Sequence, residues 1–389
     1  MSALISENKE ELLLAQAFLL AANKCRISLR DRRKLITNAR NLQNLIQMRQ
    51  AETEEGSQTS LREDLFINFQ ISYRENFKQL QSENKKYPAD LTVILCNDQA
   101  FPQRLKEIDS CPSLLFGQGG NWEILNSSSL VAVVGSRTPS HYGMEVTRCL
   151  TRDLVDAEAV VVSGGAVGID TLAHRHSLAA EGRTCAVLGS GLNRPYPHSN
   201  KNLFSEISSK GGLVISEFLL DEPPKKQNFP QRNRLIAALV DALIVTEAGE
   251  KSGTLITADF AADYGREVFA VPGSVFSGRS RSCHQLIKEG ASLLQSASDL
   301  EFILKRKPDP ALSTEENTAG GASSKTSLST EEKIVLECLC IAPSSLTELS
   351  RRSQLPVEQL ALLLAHLQKD GFVDRARGLY TACAPAYSF

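Results

Sequence analysis

Lys225-Lys226-Gln227-Asn228-Phe229-Pro230-Gln231-Arg232-Asn233-Arg234 packs four cations, two asparagines and an aromatic ring into ten residues. Cations at this density hold a phosphate backbone. Phe229 serves either as a face on which an unpaired base stacks, worth roughly 1–3 kcal/mol per base, or as a plug for the core. A second set, Gly135-Ser136-Arg137 with Ser140, Tyr142 and Gly143, adds a guanidinium fork, two hydroxyls before a helix and a glycine that admits close backbone approach. A third, Ser163-Gly164-Gly165-Ala166-Val167-Gly168-Ile169-Asp170, allows a nest of backbone N–H groups, with Asp170 either capping the next helix or meeting the ligand. In Glu247-Ala248-Gly249-Glu250-Lys251-Ser252-Gly253-Thr254, the last three residues either donate to phosphate or cap a helix. The chemistry shared by these sets is the holding of a phosphate-bearing ligand.

Reaction chemistry has no comparable signature. The phosphate-loop order Gly-x-x-x-x-Gly-Lys-[Ser/Thr] is absent, as are a nucleophile elbow and a Ser-His-Asp order. His174 and His176 lie two apart and do not share a helix face, so they are not read as metal ligands. No catalytic residue, metal or cofactor is expected. Net charge is −2, so affinity for a polyanion has to come from a local patch. Nine cysteines are scattered without a Cys-x-x-Cys pair, which fits reduced core residues. Leu12–Ala22 is apolar, but Glu7, Glu10 and Glu11 precede it where a signal peptide needs positive charge. No apolar run approaches the roughly 18 residues of a membrane span. The expectation is a soluble cytoplasmic protein without membrane contact.

The elements that position these sets repeat one unit: a short apolar run, a turn, a helical pattern. The runs are Leu130–Val134, Val160–Val162, Thr184–Leu188, Leu213–Ile215, Ala242–Thr246 and Glu267–Val271. Such runs alternating with helices predict strands of a parallel sheet buried on both faces, in an α/β domain. Turns after parallel strands share one edge, where ligands bind.

Four segments are expected. Residues 1–85 form a helical N-terminal domain. Its basic stretch Arg30–Arg40 is read as a solvated helix face before nucleic-acid contact, and 51–60 as an acidic loop. The sheet domain occupies 86–304; its proline-punctuated lead-in to Gly120 packs beside the sheet, and Leu286–Leu294 supplies a last apolar element. Residues 305–328 have the composition of a flexible linker. In 329–389, a capping box of Ser329 and Glu332, three helices with the third opened by Pro356 and stopped by Gly371, and a hairpin predict a small winged helix. Its third helix carries few base-reading side chains, and Arg375 and Arg377 sit on the wing, so a non-specific contact or a protein-binding role is favoured over sequence reading.

Taken in order, the motifs resemble the DNA-processing protein A (DprA, or Smf) family from Tyr87-Pro88 to Leu294. They include Val131–Arg137 with Ser140-x-Tyr142-Gly143, Ser163–Asp170 with Ala173-His174, and Tyr196-Pro197. Ser216-Glu217, Phe229-Pro230-x-Arg232-Asn233-Arg234, Ser252-Gly253-Thr254 with Thr257-Ala258, and Val271-Pro272-Gly273 follow. The resemblance implies an extended Rossmann-like fold that binds single-stranded DNA and forms a homodimer. It further implies a helper that protects incoming strands in natural transformation and loads the RecA recombinase. Carried over residue by residue, the DNA edge is Gly135, Ser136, Arg137, Gly164, Lys226, Phe229, Arg232, Asn233 and Arg234. Gly165 and Val167 stand where the family usually has Leu and Arg, which removes or relocates one backbone contact. Ser282 stands where it favours Gly, which bears on the local turn. The alternative is a nucleoside-monophosphate-processing enzyme or nucleotide sensor of related fold. The enzyme's motif is Pro-Gly-Gly-x-Gly-Thr-x-x-Glu, of which Glu247–Thr254 keeps a fragment and lacks the acid.

Overall fold

A computed structural model describes residues 2–47, 63–83, 87–119, 121–126, 129–250, 252–304, 329–341, 344–369, 372–376 and 378–382. The acidic stretch 51–60, the linker 305–328, Gly371 and Arg377 lie outside the described residues. Internal contacts divide the chain into two compact units, Met1–Lys307 and Pro308–Phe389.

The first unit opens with helices α1 (Ser2–Lys24), α2 (Leu29–Ala39), α3 (Leu42–Gln47) and α4 (Glu63–Ser82). The apolar face of α1 (Leu12, Leu13, Ala15, Ala17, Phe18, Leu19 and Ala22) is buried. Phe18 meets Phe69 of α4 edge-on at 5.7 Å, and Phe69 stacks on Tyr73 at 5.8 Å. In the basic stretch, Arg32 donates to Ile27 O at 2.8 Å and Arg33 to Ile108 O at 3.4 Å, so part of that charge holds the fold together. These helices share one hydrophobic core with the sheet that follows.

The sheet has nine strands: β1 (Leu91–Leu95), β2 (Leu114–Gln118), β3 (Leu130–Val134), β4 (Val160–Ser163), β5 (Thr184–Val187), β6 (Leu213–Ser216), β7 (Ala242–Val245), β8 (Glu267–Ala270) and β9 (Ser292–Leu293). Six stand where the apolar runs predict them. Their spatial order is β1-β2-β6-β5-β4-β3-β7-β8-β9. The lead-in departs from the expectation: it enters the sheet itself, with β1 antiparallel to β2 and β2 antiparallel to β6, Phe116 opposite Ser216. Thr92-Val93-Ile94 is a β-branched run that favours a pleated surface, despite the prolines around it. All other pairings are parallel. The fold is therefore α/β with a mostly parallel, Rossmann-like sheet.

Helices α5 (Gln103–Lys106), α6 (His141–Asp156), α7 (Ile169–Ala179), α8 (Lys201–Ser209), α9 (Asn228–Leu239), α10 (Thr254–Asp263) and α11 (Arg281–Lys288) complete the unit. β3 is buried on both faces. Leu130, Ala132 and Val134 join a core that includes α9 and α10, while Val131 and Val133 join Leu150, Leu154 and Ala173 of α6 and α7. β3 also marks the reversal of strand order, with β4 on one side and β7 on the other. Crevices open at such a point, beyond the carboxyl ends of the strands.

The second unit holds α12 (Thr330–Ile341), α13 (Leu346–Ser353), α14 (Val357–Lys369) and the antiparallel pair β10 (Val373–Ala376) and β11 (Leu379–Ala382). The capping box forms: Glu332 N–H donates to Ser329 Oγ at 3.2 Å, and Ser329 N–H to Glu332 at 2.8 Å. Leu336, Leu339, Leu349, Leu360, Leu364 and Val373 make its core.

Candidate nucleic-acid interface

A cleft of about 840 Å³ opens where the strand order reverses, lined by the turns after β3, β4 and β7 and by the start of α9. Of the nine residues singled out in the sequence, Gly135, Ser136, Arg137, Lys226, Phe229, Arg232 and Asn233 line it. Arg137 and Lys226 are exposed, and Phe229 and Asn233 are half-buried. The Arg137 guanidinium lies 5.9 Å from the centroid of the Phe229 ring, close enough for a cation–π contact. Tyr196 packs against the same ring at 5.7 Å and stays 42% exposed. Tyr196-Pro197 is legible as a motif, but only the packing makes this tyrosine part of the aromatic wall.

The glycines leave space mostly for protein atoms. A Cβ on Gly135 would lie 2.8 Å from both Glu247 O and Ile169, so this glycine lets the turn after β3 press against its neighbours. A Cβ on Gly164 would lie 2.7 Å from the Arg232 guanidinium. Gly189 makes room for Phe229 in the same way, at 2.9 Å. Gly165 takes φ +70°, and Phe204 fills the position where its Cβ would stand, so the glycine suits this chain's packing. Val167 is exposed and carries no charge to the edge.

Arg232 is 4% exposed. Its Nη1 donates to the carbonyls of Gly164 and Val187, stitching together the ends of β4 and β5. Burial pulls its pKa down to about 10; Asp170 opposes the shift and the Arg137 charge adds to it. The guanidinium still carries its proton at neutral pH. Burial raises the Asp170 carboxyl above the usual carboxylate value, and the Arg232 charge opposes this. Asp170 accepts from Ala166 N–H at 3.2 Å and braces the glycine turn, while Gly168 takes the cap position of α7.

Two expected features lie elsewhere. Arg234 is 5% exposed and points away from the cleft, donating to Glu217 and, at 2.6 Å, to Ser110 O. The start of α6, where Ser140 was to offer a phosphate its hydroxyl, already holds an anion. The buried Glu247 carboxylate accepts from Ser140 N–H at 3.2 Å and from Ser140 Oγ. Among the described residues no carboxylate is bonded at the start of α10: Ser252 Oγ accepts from Thr254 N–H at 3.2 Å, and Ser252, Gly253 and Thr254 line the cleft. Ser282 is accommodated, its hydroxyl donating to Gly249 O at 2.7 Å. Among the described residues, no three His, Cys, Asp or Glu side chains come together as a metal would require. No described helix is long and apolar enough to cross a membrane.

Residues 92–304, which include the whole cleft, match the family described as DNA recombination-mediator protein A. The DNA processing protein DprA of Streptococcus pneumoniae is 44% identical over 221 residues, 57% of this chain and 76% of that protein. Protein Smf of Synechocystis is 39% identical over 235 residues, 59% of this chain and 58% of that protein. The X-ray structure of the Streptococcus pneumoniae DprA superposes with a TM-score of 0.60 at 34% identity, covering 75% of this chain and 99% of that one. By the match to its sheet domain, the chain belongs to the DprA/Smf family of DNA recombination mediators.

Proposed function

We propose that the cleft grips single-stranded DNA without reading its sequence, and that the protein is a recombination mediator that works by holding a strand. The observation that carries this reading is the convergence of Arg137, Lys226, Phe229 and Asn233 on one cleft. Two exposed cations meet the phosphates, and the Phe229–Tyr196 wall offers a stacking face that any base can use. The start of α10 adds donors to a phosphate. Arg232 and Gly164 shape the floor from beneath.

The reading extends to the protection of incoming strands in natural transformation, to RecA as the recombinase loaded, to a homodimer and to the cytoplasm. The three helices and hairpin of the second unit are read as a winged helix. Its third helix exposes Val357 and Leu362, which suits a protein contact better than a base-reading one.

A gel-shift titration compares the wild type with the Arg137→Ala/Lys226→Ala double variant on single and double strands of one length. The wild type favours the single strand. The variant stays folded, binds more weakly, and its log affinity against log salt flattens by about 1.4, two lost contacts at about 0.7 each. Unchanged affinity and slope in the double variant would remove the cleft as the site.

A further inference from the structure

We propose that the bound strand continues past the cleft to a second stacking platform at Phe276, deepening the single-strand reading on which it rests. Phe276 is 98% exposed and Val275 beside it 75%. Single exposed apolar residues need no explanation, but this ring projects from a built turn. Ser277 N–H donates to Ser274 O at 3.0 Å, Tyr142 Oη donates to Pro272 O at 2.7 Å, and His284 Nε2 lies 3.0 Å from Gly273 O. The fold thus holds a bare phenyl ring in water.

The turn adjoins the cleft. It follows β8, which runs parallel beside β7, so both strands empty onto one edge. Ser282 N–H donates to Ala248 O at 3.2 Å and its hydroxyl to the carbonyl of Gly249, which lines the cleft. Arg279 donates to Thr138 O, one residue from Arg137. Its side chain is half exposed, and its carboxylate neighbour, Glu247 at 3.6 Å, is buried and already engaged by Ser140. Arg281 is also exposed, paired with the exposed Glu250. Phe276 thus stands three and five residues before two exposed guanidinium groups, on the edge of the sheet that carries the cleft. That chemistry fits a polynucleotide, whose bases stack on any aromatic face while its phosphates follow the cations. An apolar protein partner would meet charge around a very small greasy spot.

The test is an oligothymidine ladder from about 4 to about 16 nucleotides, the range of single-strand site sizes. It is run on the wild type, Phe276→Ala, Phe276→Leu, Phe276→Trp and the Arg137→Ala/Lys226→Ala variant, with melting curves for each. Phe276→Ala is expected to bind the shortest strands like the wild type and the longest roughly 5- to 150-fold more weakly, the equivalent of one lost stack. Phe276→Trp restores the long-strand affinity and Phe276→Leu does not. If Phe276→Ala matches the wild type at every length while the cation variant weakens throughout, the platform is refuted and the cleft stands. If Phe276→Leu keeps the long-strand affinity, the ring is no stacking face and an apolar docking role replaces it. A wild type that binds no length overturns both readings.

Discussion

Arg232 and Arg234 stand two residues apart on α9, both almost fully buried, and they serve opposite sides of the helix. Residues at that spacing do not share a helix face. Arg232 reaches the ends of β4 and β5 beneath the cleft, while Arg234 reaches Glu217 at the end of β6 and Ser110 in the lead-in. Of the four cations in the Lys225–Arg234 segment, two are therefore internal. A third, Lys225, pairs with Glu222 at 2.5 Å. Lys226 is left to face the cleft. A dense basic segment therefore overstates the charge available to a ligand. Half of this one is structural.

The largest effect is expected at Arg234. Arg234→Ala takes away the cation hydrogen-bonded to the buried Glu217 and leaves it only the charge of Arg32 nearby, which is expected to destabilise the fold by about 3–5 kcal/mol. Urea unfolding measures it, and the folded fraction should still bind single strands. A binding defect out of proportion to the loss of folded protein would move Arg234 to the cleft side. Phe229→Leu comes next. It keeps an apolar packing group against Gly189 and removes the ring, so single-strand affinity should fall by roughly 1–3 kcal/mol with little change in melting temperature. Equal affinity would make Phe229 a plug of the core.

A pH measurement probes what lies under Arg232. His174 is fully buried on α7, its Nδ1 2.8 Å from Thr184 Oγ1. Burial pushes its pKa down to about 3, and the Arg232 charge adds to this. The unfolded chain takes up that proton near the ordinary value of 6.5, and the folded one refuses it until about 3. Its contribution to stability is thus present above 6.5 and is lost as pH falls toward 3. Burial shifts Asp170 and Glu217 upward, which acts in the opposite sense, so the readout is a difference between proteins. His174→Gln should flatten the fall in melting temperature between neutral pH and pH 4. Parallel curves would exclude the histidine as the source.

Much of this architecture is legible in the sequence. The six runs from Leu130 to Val271 announce strands because β-branched side chains repeat between turn signals. The capping box at Ser329 is a local hydrogen-bond pattern, so three residues of spacing suffice to find it. The lead-in, expected beside the sheet, enters it as two strands, because that pairing depends on β6, far away in sequence. The Ser140 hydroxyl was misjudged for a related reason: the anion that engages it, Glu247, lies more than one hundred residues away.

Which residues make the glycine turns, that those turns follow parallel strands, and the resemblance to the DprA/Smf family can all be read from the chain of residues alone. Residue type, spacing and strand propensity are local, and they survive without a partner in view. Which cations face solvent, the meeting of Tyr196 with Phe229, and the seat of Glu247 at the start of α6 follow from folding. Burial and charge pairing depend on what distant segments bring alongside, and no stretch of chain carries that information alone.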